Sequence, residues 1–554
     1  MKTFFLRRLW ACSRTIALFG PVVFLLVAGR GAAKAQALVA SGAAKSRILL
    51  VLPFENRTGQ PNLEWIREAA PEILTYRFQG AGFAPMSRAD RLYALDHLGL
   101  PPGFHPSRAT ALKLAQTLDA DSIVVGSYVT DGSGIVAEAE LVDVPHLRMG
   151  PAVTERGEMR DLISVFDSLA WKLTRQLDPG FSSSEETFVA AGKALRVDAF
   201  EQYIRGISEQ DHAERLRHLN QAVALNPNFA PAWMALGRED YSNQQYAQAA
   251  IAFARELQDD PSGQGTDELE AGFYRGLSLM FTGEYGSAEK AFATVARVLP
   301  LAEVVNDEGV SASRQGHDGS ELFRKAIAAD PNTADYHFNL AVSLKRHGNA
   351  GEAAAELAQC LRLRPSDGEA QALMAQWKGG VAKVEAAAGA DAEPGVKVDP
   401  LERIERSFDA VAFRQAAQML DQVDETRLAA LPPQQRAQRL AAQAKDLLDH
   451  GLFLEADRIY LSAEAVDDRI PAVHAGLAEV REKTGDSAGA VKEARTSLEL
   501  LPTVQAYLVM GRLDLAAGRM EAANYDVMEA LKIEPGNSAV EELGRQVAAR
   551  KPQR

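Results

Sequence analysis

The sequence predicts an α+β protein, with a small α/β amino-terminal domain followed by all-α solenoid arrays of stacked helical hairpins. Three observations carry this. The run Ile48-Leu49-Leu50-Val51-Leu52, closed by Pro53, reads as a buried strand. Ser122 to Val129 and Ile135 to Val142, joined by the turn Asp131-Gly132-Ser133-Gly134, read as a β-hairpin. From about Lys193 the strand patterns stop and the chain becomes Ala-rich and helical. Prolines there recur 34 residues apart, at Pro227 and Pro261 and again at Pro331 and Pro365.

The amino terminus carries Lys2, Arg7, Arg8 and Arg14, then an apolar run from Ile16 to Ala28, then the small-residue stretch Gly29 to Ala40. That order predicts a secretory signal over residues 1–35, cleaved after Ala35, with an alternative site after Ala37. The run is shorter than the roughly 20 residues of a bilayer-spanning helix and is interrupted by Pro21, so an uncleaved inner-membrane anchor is the second reading. Export places the mature chain in the periplasm or outer cell envelope. The only cysteines are Cys12 and Cys360, so removal of the signal leaves no intrachain disulfide. No Cys stands at the cleavage point to carry a lipid anchor.

Residues 46–178 read as the α/β domain. The first strand is followed by a helix from about Leu63 to Gln79, a short strand at Phe83 to Met86, two helical stretches, the hairpin and a helix from Leu162 to Leu177. Val51-Leu52-Pro53-Phe54-Glu55-Asn56, the run Leu118 to Tyr128 and Ala139-Glu140-Leu141-Val142-Asp143 resemble the TolB amino-terminal or FlgO-like domain. In that family the domain often precedes helical repeats. The resemblance implies a protein-interaction or assembly domain in the envelope.

Within the unit beginning at Ala230, Trp233, Leu236, Gly237, Ala249, Phe253 and Pro261 fall at the spacing of a tetratricopeptide repeat, which the unit resembles. Gly276, Ala288 and Phe292 mark the unit ending at Pro300, and Leu340, Ala353 and Leu357 the one ending at Pro365. These define a first array over residues 193–378. A second array over 401–548 is marked by Ala456 with Tyr460, by Leu477, Ala490 and Pro502, and by Tyr507, Gly511, Ala523 and Pro535, with a further candidate around Ala416 and Leu420. Small residues let paired helices approach, while aromatic and Leu positions fill the seams between hairpins. Residues 379–400, with Gly379-Gly380 and the stretch from Ala386 to Gly395, have linker composition. They either join two independently moving arrays or form an irregular loop within one continuous solenoid.

No phosphate-binding glycine loop, HExxH, GxSxG or paired-Cys cluster appears, so the chain is read as a non-enzyme without cofactor or metal. A net charge of -14 offers nothing to nucleic-acid phosphate. Asp119-Ala120-Asp121 reads as turn chemistry and Asn56-Arg57-Thr58 as a turn or a glycosylation sequon. His212 and His218, six apart, lie on different sides of a helix, and Cys360 reads as core.

The repeat resemblance implies a concave groove lined by the first helix of each hairpin. Its lining positions are Met234, Arg238 and Tyr241, then Phe273, Met280 and Phe281, then Phe338, Lys345 and Arg346. This aromatic and basic set suits an extended or helical peptide with apolar side chains and an acidic group; the rival reading is that several aromatics pack the seam. The expected function is an exported scaffold or adaptor that binds other proteins, peptide segments or subunits of envelope complexes. The alternative is a sensor whose α/β domain binds a small molecule and whose repeats relay it to a partner.

Overall fold

A computed structural model describes residues 48–550 except 102, 105, 191–194, 260–265, 379–399, 407 and 409. The expected signal over 1–35, Pro261 and all but the last residue of the expected linker lie outside the described residues.

The amino-terminal domain is a mixed sheet with helices on both faces. Its strands are β1 (Ile48–Val51), β2 (Glu55–Asn56), β3 (Ala84–Pro85), β4 (Ser122–Asp131), β5 (Gly134–Asp143), β6 (Arg148–Met149) and β7 (Val153–Glu158). β1 lies parallel between β3 and β4, β2 extends β4 in parallel, and β5 pairs antiparallel with β4, β6 and β7. The side-chain period of two explains the unbroken apolar run in β1. Leu49 and Val51 face helices α1 (Ile66–Gly80) and α4 (Leu162–Leu177), while Leu50 and Leu52 face α2 (Arg88–His97) and α3 (Arg108–Thr117). The hairpin turn has Gly132 at φ 63°, which glycine adopts without steric cost. Asp119 sits at φ 51°, and the Asp121 carboxylate accepts the Ile48 N–H at 2.9 Å, so both acids serve the turn into β4. Asn56 Oδ1 accepts the N–H and hydroxyl of Thr58, which shapes the turn after β2.

After a short helix α5 (Glu185–Ala190), the chain runs through α6 (Val197–Ser208), α7 (His212–Leu225), α8 (Ala230–Ser242), α9 (Tyr246–Asp259), α10 (Thr266–Phe281), α11 (Tyr285–Val298), α12 (Ala302–Arg314), α13 (Ser320–Ala329), α14 (Ala334–Arg346), α15 (Ala350–Leu363) and α16 (Gly368–Trp377). Helix α17 (Ala410–Ala429) follows. The later hairpins are α18 (Pro433–Asp449) with α19 (Phe453–Val466), α20 (Pro471–Thr484) with α21 (Ser487–Leu500), and α22 (Val504–Ala516) with α23 (Met520–Ile533), ending on α24 (Ser538–Arg550). Part of the segment expected in the second array lies against the first: Phe408 and Phe413 join its core beside Phe273, and α17 packs on α10 as well as on α18. The reason is apolar burial, Phe408 and Phe413 packing on each other and on Phe273.

Three hairpins of the first array close where a ring of the second helix meets a glycine of the first. A Cβ added to Gly237 or Gly276 would stand 2.7 Å from the ring of Phe253 or Phe292, and one on Gly309 would stand 2.9 Å from Phe323. Cys360 is a buried free thiol packed with Phe338, Leu357 and Leu373, and burial pushes it up to about 11. A second recurring contact ties each entry turn to the helix after it. The ring or amide nitrogens of Trp233, His337, Gln371 and His474 each meet a main-chain oxygen six residues earlier, at 2.7–3.2 Å. In two repeats the histidine also meets an acid on the following helix, His337 with Glu356 at 2.7 Å and His474 with Glu493 at 2.8 Å.

The packing does not break at the expected boundary between residues 178 and 193. Phe200, Ile204, Leu219, Phe229 and Leu236 share one core with Phe54, Phe78 and Phe166 of the sheet domain. The second array returns to the same domain. Leu454 joins that core, the Ser183 hydroxyl donates to Asp457 at 2.6 Å, and the Thr187 and Thr484 hydroxyls meet at 2.9 Å. Among the described residues no helix is long and apolar enough to cross a membrane.

Two predictions follow from this packing. Gly276→Ala should cost about 1–3 kcal/mol by overpacking the seam, whereas Gly351→Ala, on an open helix surface, should be neutral or stabilising by up to about 1 kcal/mol. Urea midpoints measure both, and equal midpoints would contradict a close-packed seam. Burial raises the Glu493 carboxyl, but His474, Arg481 and Lys492 outweigh it and hold it at about 2, while Glu493 raises His474 above its ordinary 6.5. The Glu493 contribution is present above its ordinary 4.5 and is lost as pH falls towards about 2; the His474 contribution is present below 6.5 and is lost as pH rises through the raised value. The stability penalty of His474→Ala is therefore expected to peak between pH 4.5 and 6.5 and to shrink on either side.

Candidate functional site

The first helices of successive hairpins in the first array place repeat-equivalent residues on one face. Phe273, Asn306 and Asn339 follow one another at intervals of 33, and Met280, Ser313 and Arg346 do the same. Along this face runs an extended stretch of the chain itself, residues 400–406 with Phe408.

Two buried asparagines hold its main chain. The Arg403 N–H donates to Asn339 Oδ1 at 2.6 Å, and the Arg403 carbonyl accepts from Asn339 Nδ2 at 2.7 Å and Asn306 Nδ2 at 3.1 Å. Asn339 Nδ2 also donates to Asn306 Oδ1 at 2.8 Å, so the two amides act as one unit. Two residues on, the Glu405 N–H donates to Asp307 Oδ1 at 2.9 Å. Burial pushes the Asp307 carboxyl well above its ordinary range, against the opposing bonds from Glu405 and Asn306.

Side chains on the two sides of the stretch meet opposite charges. The Glu402 carboxylate, fully buried, accepts from Ser313 and Arg346 and lies 3.3 Å from Arg314 Nε. Arg346 Nη2 donates to the Pro400 carbonyl at 2.7 Å, and Arg314 Nη2 to the Glu402 carbonyl at 3.0 Å. The Arg403 guanidinium lies 3.7 Å from the Phe338 ring centre and pairs with Asp335 at 2.7 Å, Asp367 at 2.6 Å and Glu369 at 2.8 Å. Burial raises the Asp367 carboxyl, but Arg403 outweighs it and holds it below the usual carboxylate range. Arg406 stacks on Phe281 at 5.2 Å, and Phe408 meets Phe273 at 5.7 Å and Tyr274 at 6.2 Å.

Of the groove positions expected from the repeat pattern, Phe273, Phe281, Phe338 and Arg346 contact this stretch. Met234 is buried with Ala249, Phe253 and Ala271, and Met280, at the repeat position of Ser313 and Arg346, is buried in the same core as Phe273 with the Ser311 hydroxyl against its sulfur at 3.0 Å. Tyr241 joins Tyr246, Tyr274 and Phe281 in an aromatic wall; Arg238 is tied to Glu270 by two bonds of 2.6 and 2.7 Å; Lys345 stands 5.4 Å over Trp377.

The polar part of the site, Asn306, Asp307, Arg314, Asn339, Asp335 and Asp367, escaped the sequence reading because apolar landmarks define a repeat. The available signal was the 33-residue recurrence of asparagine on the first helices. Elsewhere, Glu464, His474 and Glu493 converge within 4.8 Å. Both ring nitrogens of His474 already face protein oxygens, Glu493 and the Asp468 carbonyl, so neither offers a lone pair to a metal. His212 and His218 are likewise engaged, by Glu239 at 2.5 Å and Gln202 at 2.7 Å.

The tetratricopeptide-repeat family model matches residues 307–368, which contain most of the groove residues just described. No curated protein matches the sequence. Among solved structures, YrrB, described as a tetratricopeptide-repeat protein with an unusual peptide-binding site, is 15% identical over 37% of this chain and 98% of its own, with a TM-score of 0.28. MamA from Desulfovibrio magneticus RS-1 is 18% identical over 34% of this chain and 99% of its own, at 0.27. A tetratricopeptide-repeat protein from Parabacteroides merdae is 10% identical over 58% of this chain and 98% of its own, at 0.25.

Asn339→Ala should release the main chain at Arg403. The Arg403 amide, which donates to the Asn339 side-chain oxygen, is expected to lose roughly tenfold in hydrogen-exchange protection, the equivalent of about 1.4 kcal/mol. Unchanged protection would show that the clamp does not hold the stretch.

Proposed function

We propose that this chain is an exported scaffold or adaptor that assembles protein complexes in the bacterial cell envelope, capturing extended partner segments in the groove of its first array. The observation that carries the reading is the asparagine pair. Asn306 and Asn339 bond both the N–H and the carbonyl of one residue of an extended chain, which is recognition of main chain and independent of that residue's side chain. Buried amides at such positions are costly unless a strand supplies partners, so the groove is built to hold one. Export and an envelope location are supported by the positive, apolar, small order of residues 1–40 and by the resemblance of residues 46–178 to the TolB amino-terminal or FlgO-like domain. The reading requires no catalytic step and no cofactor.

Crosslinking and affinity capture of the full chain from its own cell envelope tests this. Point variants are preferable to deletions, because removing residues 46–178 or 193–378 would open the core shared by the sheet and the first hairpins. Asn306→Ala with Asn339→Ala is expected to lose most captured partners, and Tyr241→Ala with Phe281→Ala to reduce them. Recovery of the same partners at the same yield from both variants would move binding to the second array or the α/β domain.

A further inference from the structure

We propose that residues 400–406 with Phe408 are a built-in ligand of the first-array groove, and that the partner replacing them is an extended protein segment carrying an acidic residue, an arginine directly after it and an aromatic residue five positions beyond the arginine. This deepens the scaffold reading and rests on it for the existence of a partner.

The groove explains each element of that pattern. An extended chain turns successive side chains to opposite sides, so Glu402 and Arg403 diverge. Glu402 enters a site made by Arg314 and Arg346, and Arg403 one made by Asp335, Asp367 and Glu369 on the face of Phe338. Without the stretch, one side of the groove presents Arg314 and Arg346 and the other presents Asp335, Asp367 and Glu369, with Arg364 beside Asp335 and Asp367, so the two sides differ in net sign, an arrangement that favours a ligand of matching polarity and penalises the reverse order. The aromatic five positions on rests against Phe273 and Tyr274. Both the N–H and the carbonyl of Arg403 are bonded, which selects an internal segment and excludes recognition through a free terminal carboxylate.

Occupancy by the chain's own segment also sets how a partner binds. A tethered ligand competes at an effective concentration in the millimolar range, so a partner segment gains access by displacing it. Weakening the internal segment, while leaving the groove intact, therefore increases binding from outside.

The experiment uses the full chain and a fluorescein-labelled synthetic peptide of residues 400–408, read by fluorescence anisotropy. The Glu402→Ala, Arg403→Ala chain is expected to bind the peptide at least about tenfold more tightly than the unaltered chain, and a peptide with residues 402 and 403 exchanged is expected not to bind. Arg403→Gln alone serves as a second variant, with an intermediate gain, and circular dichroism establishes that each chain remains helical. Equal binding to altered and unaltered chains, no binding to the double variant, or equal binding of the exchanged peptide would each overturn the proposal. Capture from the envelope separates it from the scaffold reading: peptide binding that behaves as expected, with no envelope protein recovered by either chain, leaves the charge-ordered site standing and defeats the scaffold.

Discussion

The close approach of paired helices is the constraint on which the molecule depends. A helical hairpin has an apolar face it cannot bury alone, and here that face closes because rings such as Phe292 and Phe253 rest where Gly276 and Gly237 have no side chain. Any Cβ at those points would push the helices apart. Once the seam distance is set, the first helices stand in register, and residues 33 apart come to one surface. The asparagine pair owes its geometry to that register: Asn306 and Asn339 reach the same peptide unit only because their helices are neighbours in the stack.

The clamp in turn organises the middle of the chain. By holding Arg403 it orders the charges on either side, and it brings Phe408 and Phe413 onto Phe273, where α17 then packs. Residues 400–406 thus enter the first array's groove as a ligand does. Its contacts are largely electrostatic, with Glu402 between two arginines and Arg403 among three carboxylates. Breaking one member of such a set leaves the remainder uncompensated, so a segment of the wrong charge order is penalised.

The sheet domain is coupled to both arrays, by a continuous core to the first hairpins and by Leu454, Ser183 and Thr187 to the second array. The chain therefore contacts itself at two remote places, the groove and the sheet domain. The paired histidines act within the repeats: His337 and His474 each join the turn before the first helix to an acid on the second, which resists twisting of one helix against its partner.

Local patterns were enough to read much of this from the sequence. The apolar run at 48–52, the hairpin at 122–142 and the helix at 162–177 were legible because strand and helix periods are short-range, and the hairpins because one structural unit recurs in one length of chain. Phe273, Phe281, Phe338 and Arg346, which the repeat pattern puts on first helices, contact the chain's own residues Phe408, Arg406, Arg403 and Glu402. What only the tertiary structure decided was where residues 401–429 go, which aromatics face groove or seam, and that one sheet core continues into the first hairpins. Those outcomes depend on contacts between residues tens to hundreds of positions apart, such as Asn306 with Arg403 or Thr187 with Thr484. Such contacts leave no periodic trace in the chain, because they are selected by shape and charge after the helices have stacked.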